Sequence, residues 1–247
     1  MLWKRKVSKK IEDEFHADTE PLFRLLVHLD YTPKHIVDVG AHLGGWTRSA
    51  LNVFPYSKYT LFEPQRELLG SQSDLDVPNI RRNYVGAGPT SGQALLSRHN
   101  RADSFSFALT PEQARDRGFA QISVEVVSLD DYFDRNTDWP APDVLKIDAE
   151  GWDIEVIRGA GKVISKCDVV LVEAGVLNKR FTNTALKVMQ EMDNRGFKLF
   201  DITDLNRTPT TGALWNIELV FVKAGANLDQ SISTYSCLRD YLVGTKW

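Results

Sequence analysis

This 247-residue sequence predicts an α/β fold on a mostly parallel sheet, and three features predict it. Short apolar runs rich in β-branched residues recur along the chain. Helix-period segments separate most of them, and the last two runs have no helix between them. Continuous apolar strands alternating with helices mark a parallel sheet covered on both faces. A three-layer architecture follows, closed by an antiparallel hairpin at the C-terminus.

Each element has its own signal. A helix over 21–29 carries Leu22, Leu25, Leu26 and Leu29 on one stripe, with Thr19 as its cap. HIVDV at 35–39 is the first strand, and a helix over 46–54 follows it. YTLF at 59–62 and IRRNYV at 80–85 are the next strands, and a further run occupies 124–127. VLKI at 144–147 leads into a helix over 153–158, and VVLV at 169–172 into one over 184–194 that ends at Arg195-Gly196. Residues 197–202 and IELVFV at 217–222 are the last two strands. Between them, 203–216 is rich in Thr, Asn, Pro and Gly and reads as a long loop.

Composition sets the outer bounds. At 43% hydrophobic and 26% charged, the chain is neither collagen-like, coiled-coil nor disordered. Thirty basic residues against 33 acidic give a formal charge of −3, so no positive field advertises nucleic acid. Two cysteines, Cys167 and Cys237, make no disulfide framework. No run approaches the roughly 18 apolar residues of a membrane span. Residues 1–18 open with five basic side chains in ten and read as a solvated tail before a single domain, 19–247. A soluble cytoplasmic protein is expected, and nothing in the sequence opposes a homo-oligomer.

In open parallel sheets, ligands bind beyond the carboxyl ends of the strands. The first strand runs into Asp38-Val-Gly-Ala-His-Leu-Gly-Gly-Trp-Thr47, where Gly40 and Gly44 permit a sharp turn and close approach of a ligand. The second ends at Phe62-Glu63-Pro64. A carboxylate some twenty residues after a glycine turn suits the two hydroxyls of a ribose. His42 and Leu43 break any GxGxxG pattern, no GxxxxGK[ST] occurs, and Asp38 would repel a pyrophosphate. A nucleoside bearing a cationic group, as in S-adenosylmethionine, complements acids at two adjacent strand ends.

The run Lys146-Ile-Asp148-Ala-Glu150-Gly151 and the strand end at Glu173 place further carboxylates beside that position. Asp148 is the first candidate to take a proton from a substrate hydroxyl, with Glu150 and Glu173 next. Asp148 and Glu173 together can hold a divalent cation such as Mg²⁺. Glu150 can equally serve as a dipole partner to the helix that follows. Lys146, inside an apolar strand, is expected to pair with a carboxylate.

At these residues the sequence resembles the FkbM family of S-adenosylmethionine-dependent methyltransferases. The resemblance rests on 38–47, on Phe62-Glu63-Pro64, on Ser128-Leu-Asp-Asp-Tyr132, and on Asp143-Val-Leu-Lys-Ile-Asp-Ala-Glu-Gly151 running into Val156-Ile-Arg-Gly-Ala160. It covers about residues 20–225, and the KIDxEG string is its most specific part. His42 stands where the family usually has Asn. The resemblance implies a class I methyltransferase (Rossmann-like) fold. Asp38 and Gly40 then line the methionine portion of the cofactor, Glu63 holds its ribose, Gly86 and Ala87 face its adenine, and His42, Gly44 and Thr47 are further cofactor-binding candidates. It further implies O-methylation of a hydroxyl on a sugar, glycan or natural product.

The segment between the third strand and VLKI holds Arg98, His99 and Arg101, whose charge would suit an anionic acceptor. Arg207 and Trp215, in the expected loop, are further acceptor candidates, Trp215 as a stacking platform. His16, His28 and His35 lack metal-ligand spacing. Three rivals remain. A methyltransferase acting on nitrogen or nucleic acid lacks its [ND]PP[YF] string here, a nicotinamide oxidoreductase lacks its glycine fingerprint, and the third is a binding protein of the same fold.

Overall fold

The computed structural model describes residues 19–98, 105–177 and 182–234; the basic tail, His99, Arg101 and Cys237 lie outside them. Helix α1 (Thr19–His28) precedes β1 (His35–Val39), and α2 (Gly45–Val53) leads to β2 (Lys58–Phe62). A short α3 (Arg66–Leu69) precedes β3 (Ile80–Asn83). There follow β4 (Gly86–Ala87), β5 (Gly92–Arg98), β6 (Phe105–Ser106), α4 (Pro111–Asp116) and β7 (Ala120–Val127). Next come α5 (Leu129–Arg135), β8 (Val144–Ile147), α6 (Asp153–Arg158), α7 (Gly161–Ile164) and β9 (Val169–Gly175). The described chain closes with α8 (Ala185–Asp193), β10 (Phe197–Arg207), β11 (Leu214–Lys223) and α9 (Asn227–Thr234). Among the described residues, no helix is long and apolar enough to cross a membrane.

Seven strands form the main sheet in the order β10-β11-β9-β8-β1-β2-β3. All pairs are parallel except those of β11, which is antiparallel to β9 and to β10. The expected C-terminal hairpin is therefore present, but the expected long loop is not. β10 continues to Arg207 and β11 starts at Leu214, leaving a turn over 208–213. Register shifts at Leu199/Asp201 and Thr203/Asn206 absorb extra residues as bulges, with Asp204 at φ +48°. A bulge lets a polar, turn-like sequence stay paired.

Side-chain alternation divides the core between two faces. Ile36, Tyr59, Leu61, Leu171 and Val220 pack with Leu22, Phe23 and Leu26 of α1 and Trp46 and Ala50 of α2. Val37, Val39, Leu145, Ile147, Val170 and Val172 pack beneath Leu129 and the helices α6–α8. Burying each large side chain contributes about 1.5–3 kcal/mol. On α1 the stripe is shifted from the expected one. Leu25 is 37% exposed, and Phe23 fills its place, edge-on to Trp46 and Phe54 at 5.3 and 5.8 Å.

The run at 124–127 extends to 120–127 and does not join the main sheet. It belongs to a second sheet ordered β4-β7-β5-β6. This small sheet docks through missing side chains. A Cβ on Gly86 would come within 2.9 Å of the Phe107 ring, and one on Gly88 within 2.8 Å of Trp152. Those two rings stack at 4.8 Å, so the glycines make the slot that receives them. At the opposite, amino-terminal end of the parallel strands, buried polar groups are fully engaged. The His35 ring nitrogens meet Pro140 O at 2.7 Å and Thr60 Oγ1 at 2.8 Å, and the Asp143 carboxylate accepts from the backbone of Lys34 and His35.

Candidate active site

The carboxyl ends of the parallel strands gather acids around one lysine. Lys146 of β8 is 3% exposed. Its Nζ lies 3.3 Å from Asp38 Oδ1, 3.2 Å from Asp148 Oδ2 and 3.4 Å from the Gly40 carbonyl. The register explains the meeting: Asp38 pairs with Lys146 across β1 and β8, and residues two apart share a face. Burial opposes the ammonium, but the charges of Asp148, Asp38 and Glu218 overcome it and hold its pKa well above the ordinary lysine range.

Asp38 is fully buried. Its Oδ2 accepts from Thr47 Oγ1 at 2.6 Å, while Oδ1 has no hydrogen bond and meets Lys146 only as an ion pair. Gly40 (φ +76°) turns the chain here, and a Cβ on it would fall 1.8 Å from the Asp148 carbonyl oxygen. The glycine is thus required by the neighbouring loop whether or not a ligand is present. Gly44 (φ +78°) caps α2, and its Cβ position is filled by Leu75. Glu63 is buried at the end of β2. Its Oε2 accepts from His42 N at 3.0 Å and its Oε1 from Gln65 N at 2.9 Å. Burial raises its pKa against those hydrogen bonds.

On the far side of Lys146, the loop after β8 folds back through Asp153. The Asp153 carboxylate accepts from Ala149 N at 2.8 Å, Gly151 N at 3.2 Å and Asn183 Nδ2 at 2.7 Å. Burial chiefly raises its pKa to about 7. Asp153, the first residue of α6, thus ties this loop to the helix. Glu150 sits at φ +50° with its side chain at the exposed rim of the site. The surrounding protein, then the charges of Asp148 and Asp153, push its pKa up to about 8. Glu173 of β9 is half-buried and accepts from Asn216 Nδ2. Burial and the charges of Asp148, Glu150 and Asp153 raise it strongly.

Sequence reasoning missed Glu218. It lies on β11 directly opposite Glu173, is 4% exposed, and accepts from Thr203 Oγ1 at 2.7 Å. Burial and Asp204 raise its pKa to about 8. The signal was present as one carboxylate inside the apolar run IELVFV.

The remaining candidates are dispersed. Gly86 and Ala87 are buried in β4 of the small sheet, with Gly86 against Phe107. Arg98 pairs with Glu67 at 3.0 Å, Arg207 donates to the Gly212 carbonyl at 3.1 Å, and Trp215 is 46% exposed on β11. The metal expectation gains no support. Among the described residues, no group of three or more His, Cys, Asp or Glu side chains is arranged to hold an ion. Asp148 is engaged by Lys146 and Glu173 by Asn216.

Comparison with known proteins gives the family and the fold. The methyltransferase FkbM domain matches residues 38–199. The chain belongs to the FkbM methyltransferase family. The crystal structure of an FkbM methyltransferase from Methylobacillus flagellatus KT is similar, with 19% identity and a TM-score of 0.50. That match covers 76% of this chain and 43% of the other, so the chain spans less than half of that neighbour's length. A precorrin-6y C5,15-methyltransferase from Geobacter metallireducens GS-15 is 15% identical (83% and 87% coverage, TM-score 0.47). A magnesium protoporphyrin IX methyltransferase from Synechocystis PCC 6803 is 9% identical (83% and 78%, TM-score 0.48). No curated protein sequence matches. The fold is the class I methyltransferase fold.

Proposed function

We propose that this FkbM-family chain is an S-adenosylmethionine-dependent O-methyltransferase whose acceptor is a hydroxyl of a sugar, glycan or other small natural product. The observation that carries this reading is the acid row at the carboxyl ends of β2, β1, β8 and β9, formed by Glu63, Asp38, Asp148 and Glu173. The residues suit the cofactor. Glu63 Oε2 keeps a lone pair for a ribose hydroxyl after its bond from His42 N, whereas Oε1 accepts from both the backbone and the side-chain nitrogen of Gln65. Four or more carboxyl groups against one lysine favour a cationic ligand over a pyrophosphate.

S-adenosylmethionine, when bound, supplies an electrophilic methyl group on a positive sulfur. The chain's own work is to orient the acceptor and remove its proton. Asp148, held by Lys146, orients the hydroxyl by accepting from it. Glu150 takes the proton, because a base whose pKa lies near the working pH combines availability with strength. Glu173 lines the acceptor side.

Calorimetry with S-adenosylhomocysteine tests the cofactor half. Glu63→Ala is expected to weaken binding at least tenfold, about 1.4 kcal/mol. Unchanged affinity would remove Glu63 from the ribose. Radiolabelled methyl transfer onto fractionated extract, with identification of the labelled atom, tests the acceptor half; label on nitrogen would overturn the O-methyl assignment.

A further inference from the structure

Glu150 adopts a backbone conformation that a non-glycine residue rarely holds, φ +50°, and Gly151 continues it at φ +91°. Such a residue costs about 1–3 kcal/mol and persists only where its surroundings over-determine it. Two restraints act here from opposite sides. From below, the Asp153 carboxylate binds the amides of Ala149 and Gly151, on either side of Glu150. From above, Ser106 Oγ donates to the Glu150 carbonyl at 2.9 Å.

Ser106 belongs to the small sheet, not to the strands that carry the acid row. It is 3% exposed and sits on β6, in register with Ser97 of β5. Its oxygen also accepts from Ala108 N at 3.0 Å. That contact occupies an acceptor site, so the single hydroxyl proton is directed to Glu150. The next residue, Phe107, locks the position by stacking on Trp152 in the slot left by Gly86 and Gly88.

We infer that Ser106 is a positioning residue: through the Glu150 carbonyl, the small sheet holds the turn that brings the Glu150 carboxylate into the acid row. The inference rests on the reading of Glu150 as proton acceptor. It also gives the segment between β3 and β8 a second task, linking the acceptor side of the protein to the proton-accepting group by one hydroxyl. The charged groups facing Glu150 are Asp148 on its own loop, Asp153 of α6, Lys146 of β8, Glu63 after β2 and Glu173 of β9. A turn released from Ser106 lets the carboxylate move away from them.

The test compares Ser106→Ala with Ser106→Thr, which keeps the hydroxyl, in the full chain. The first readout needs no ligand: carbon-13 NMR titration of the glutamate carboxyls, with Glu150→Gln to assign the resonance. In the wild type the Glu150 midpoint is expected near 8. Ser106→Ala should lower it by about one pH unit or more, toward the ordinary glutamate value, and Ser106→Thr should restore it. In turnover, Ser106→Ala should cut kcat by roughly tenfold or more at unchanged S-adenosylhomocysteine affinity, with Ser106→Thr close to wild type. An unmoved midpoint in Ser106→Ala, or a loss that threonine fails to reverse, overturns the assignment. Failure of the methyltransferase reading shows separately, as wild-type protein that binds no S-adenosylhomocysteine.

Discussion

The two ends of the same parallel strands bury polar groups in opposite ways. At the amino-terminal end, His35, Thr60 and Asp143 form a closed set in which each ring nitrogen and carboxylate oxygen has its partner. At the carboxyl end, burial and then the charge of Asp148 among other acids push up the pKa of Glu150, Asp153, Glu173 and Glu218 around a single ammonium, and Asp38 Oδ1 has no hydrogen-bond donor. Burial of polar groups does not mark a site, because both ends have it. Crowding of like charge marks it, since a fold gains no stability from such crowding.

The largest expected effect comes from removing the ion that holds the crowded end together. Lys146→Met should cost about 3–5 kcal/mol in denaturant unfolding, because Asp38 and Asp148 lose their counter-charge. A loss near zero would mean that the acids relax into water and that the two ends do not differ as described. Glu150→Gln should lower kcat by ~10²–10⁴ while S-adenosylhomocysteine still binds. Wild-type kcat should rise with pH through about 8, since the base acts in its ionised form.

A third experiment separates the ends by their response to pH. Glu218 is raised from 4.5 to about 8, so the folded state favours its protonated form. Its contribution to stability is complete below the unfolded value and is lost as pH rises through the folded one. The melting temperature should therefore fall between about pH 5 and about pH 8.5, and Glu218→Gln should flatten that fall. An equally steep fall in the variant would assign the dependence to Glu150, Asp153 or Glu173. The smallest effect is expected at the quiet end: Thr60→Val should cost about 1 kcal/mol for the lost His35 hydrogen bond and leave S-adenosylhomocysteine affinity unchanged.

Much of the main sheet was legible because β1, β2, β8 and β9 are buried on both faces, so hydrophobicity alone marks them. Their terminal acids were legible for the same reason: Asp38, Glu63, Asp148 and Glu173 follow the apolar runs directly. The small sheet was not. β5 (GQALLSR) has one exposed face and no β-branched residue, and β4 is two residues long. β10 was cut short because Asp204 and Asn206 look like loop, whereas Asn206 pairs with Asn216 of β11 and Asp204 sits in a bulge. The roles of Glu218 and Ser106 depend on which strand lies opposite, and a linear sequence does not show that. Gly40 was assigned to ligand access, yet the Asp148 carbonyl already demands it.

That last contact has a practical consequence. With the Gly40 Cα packed directly on the Asp148 peptide, the turn after β1 and the turn after β8 are one mechanical part. Randomising 148–152 would therefore move the turn after β1 at the same time. Libraries that keep the 148 backbone fixed, and vary the hairpin tip at 208–213 or the small sheet instead, escape that coupling.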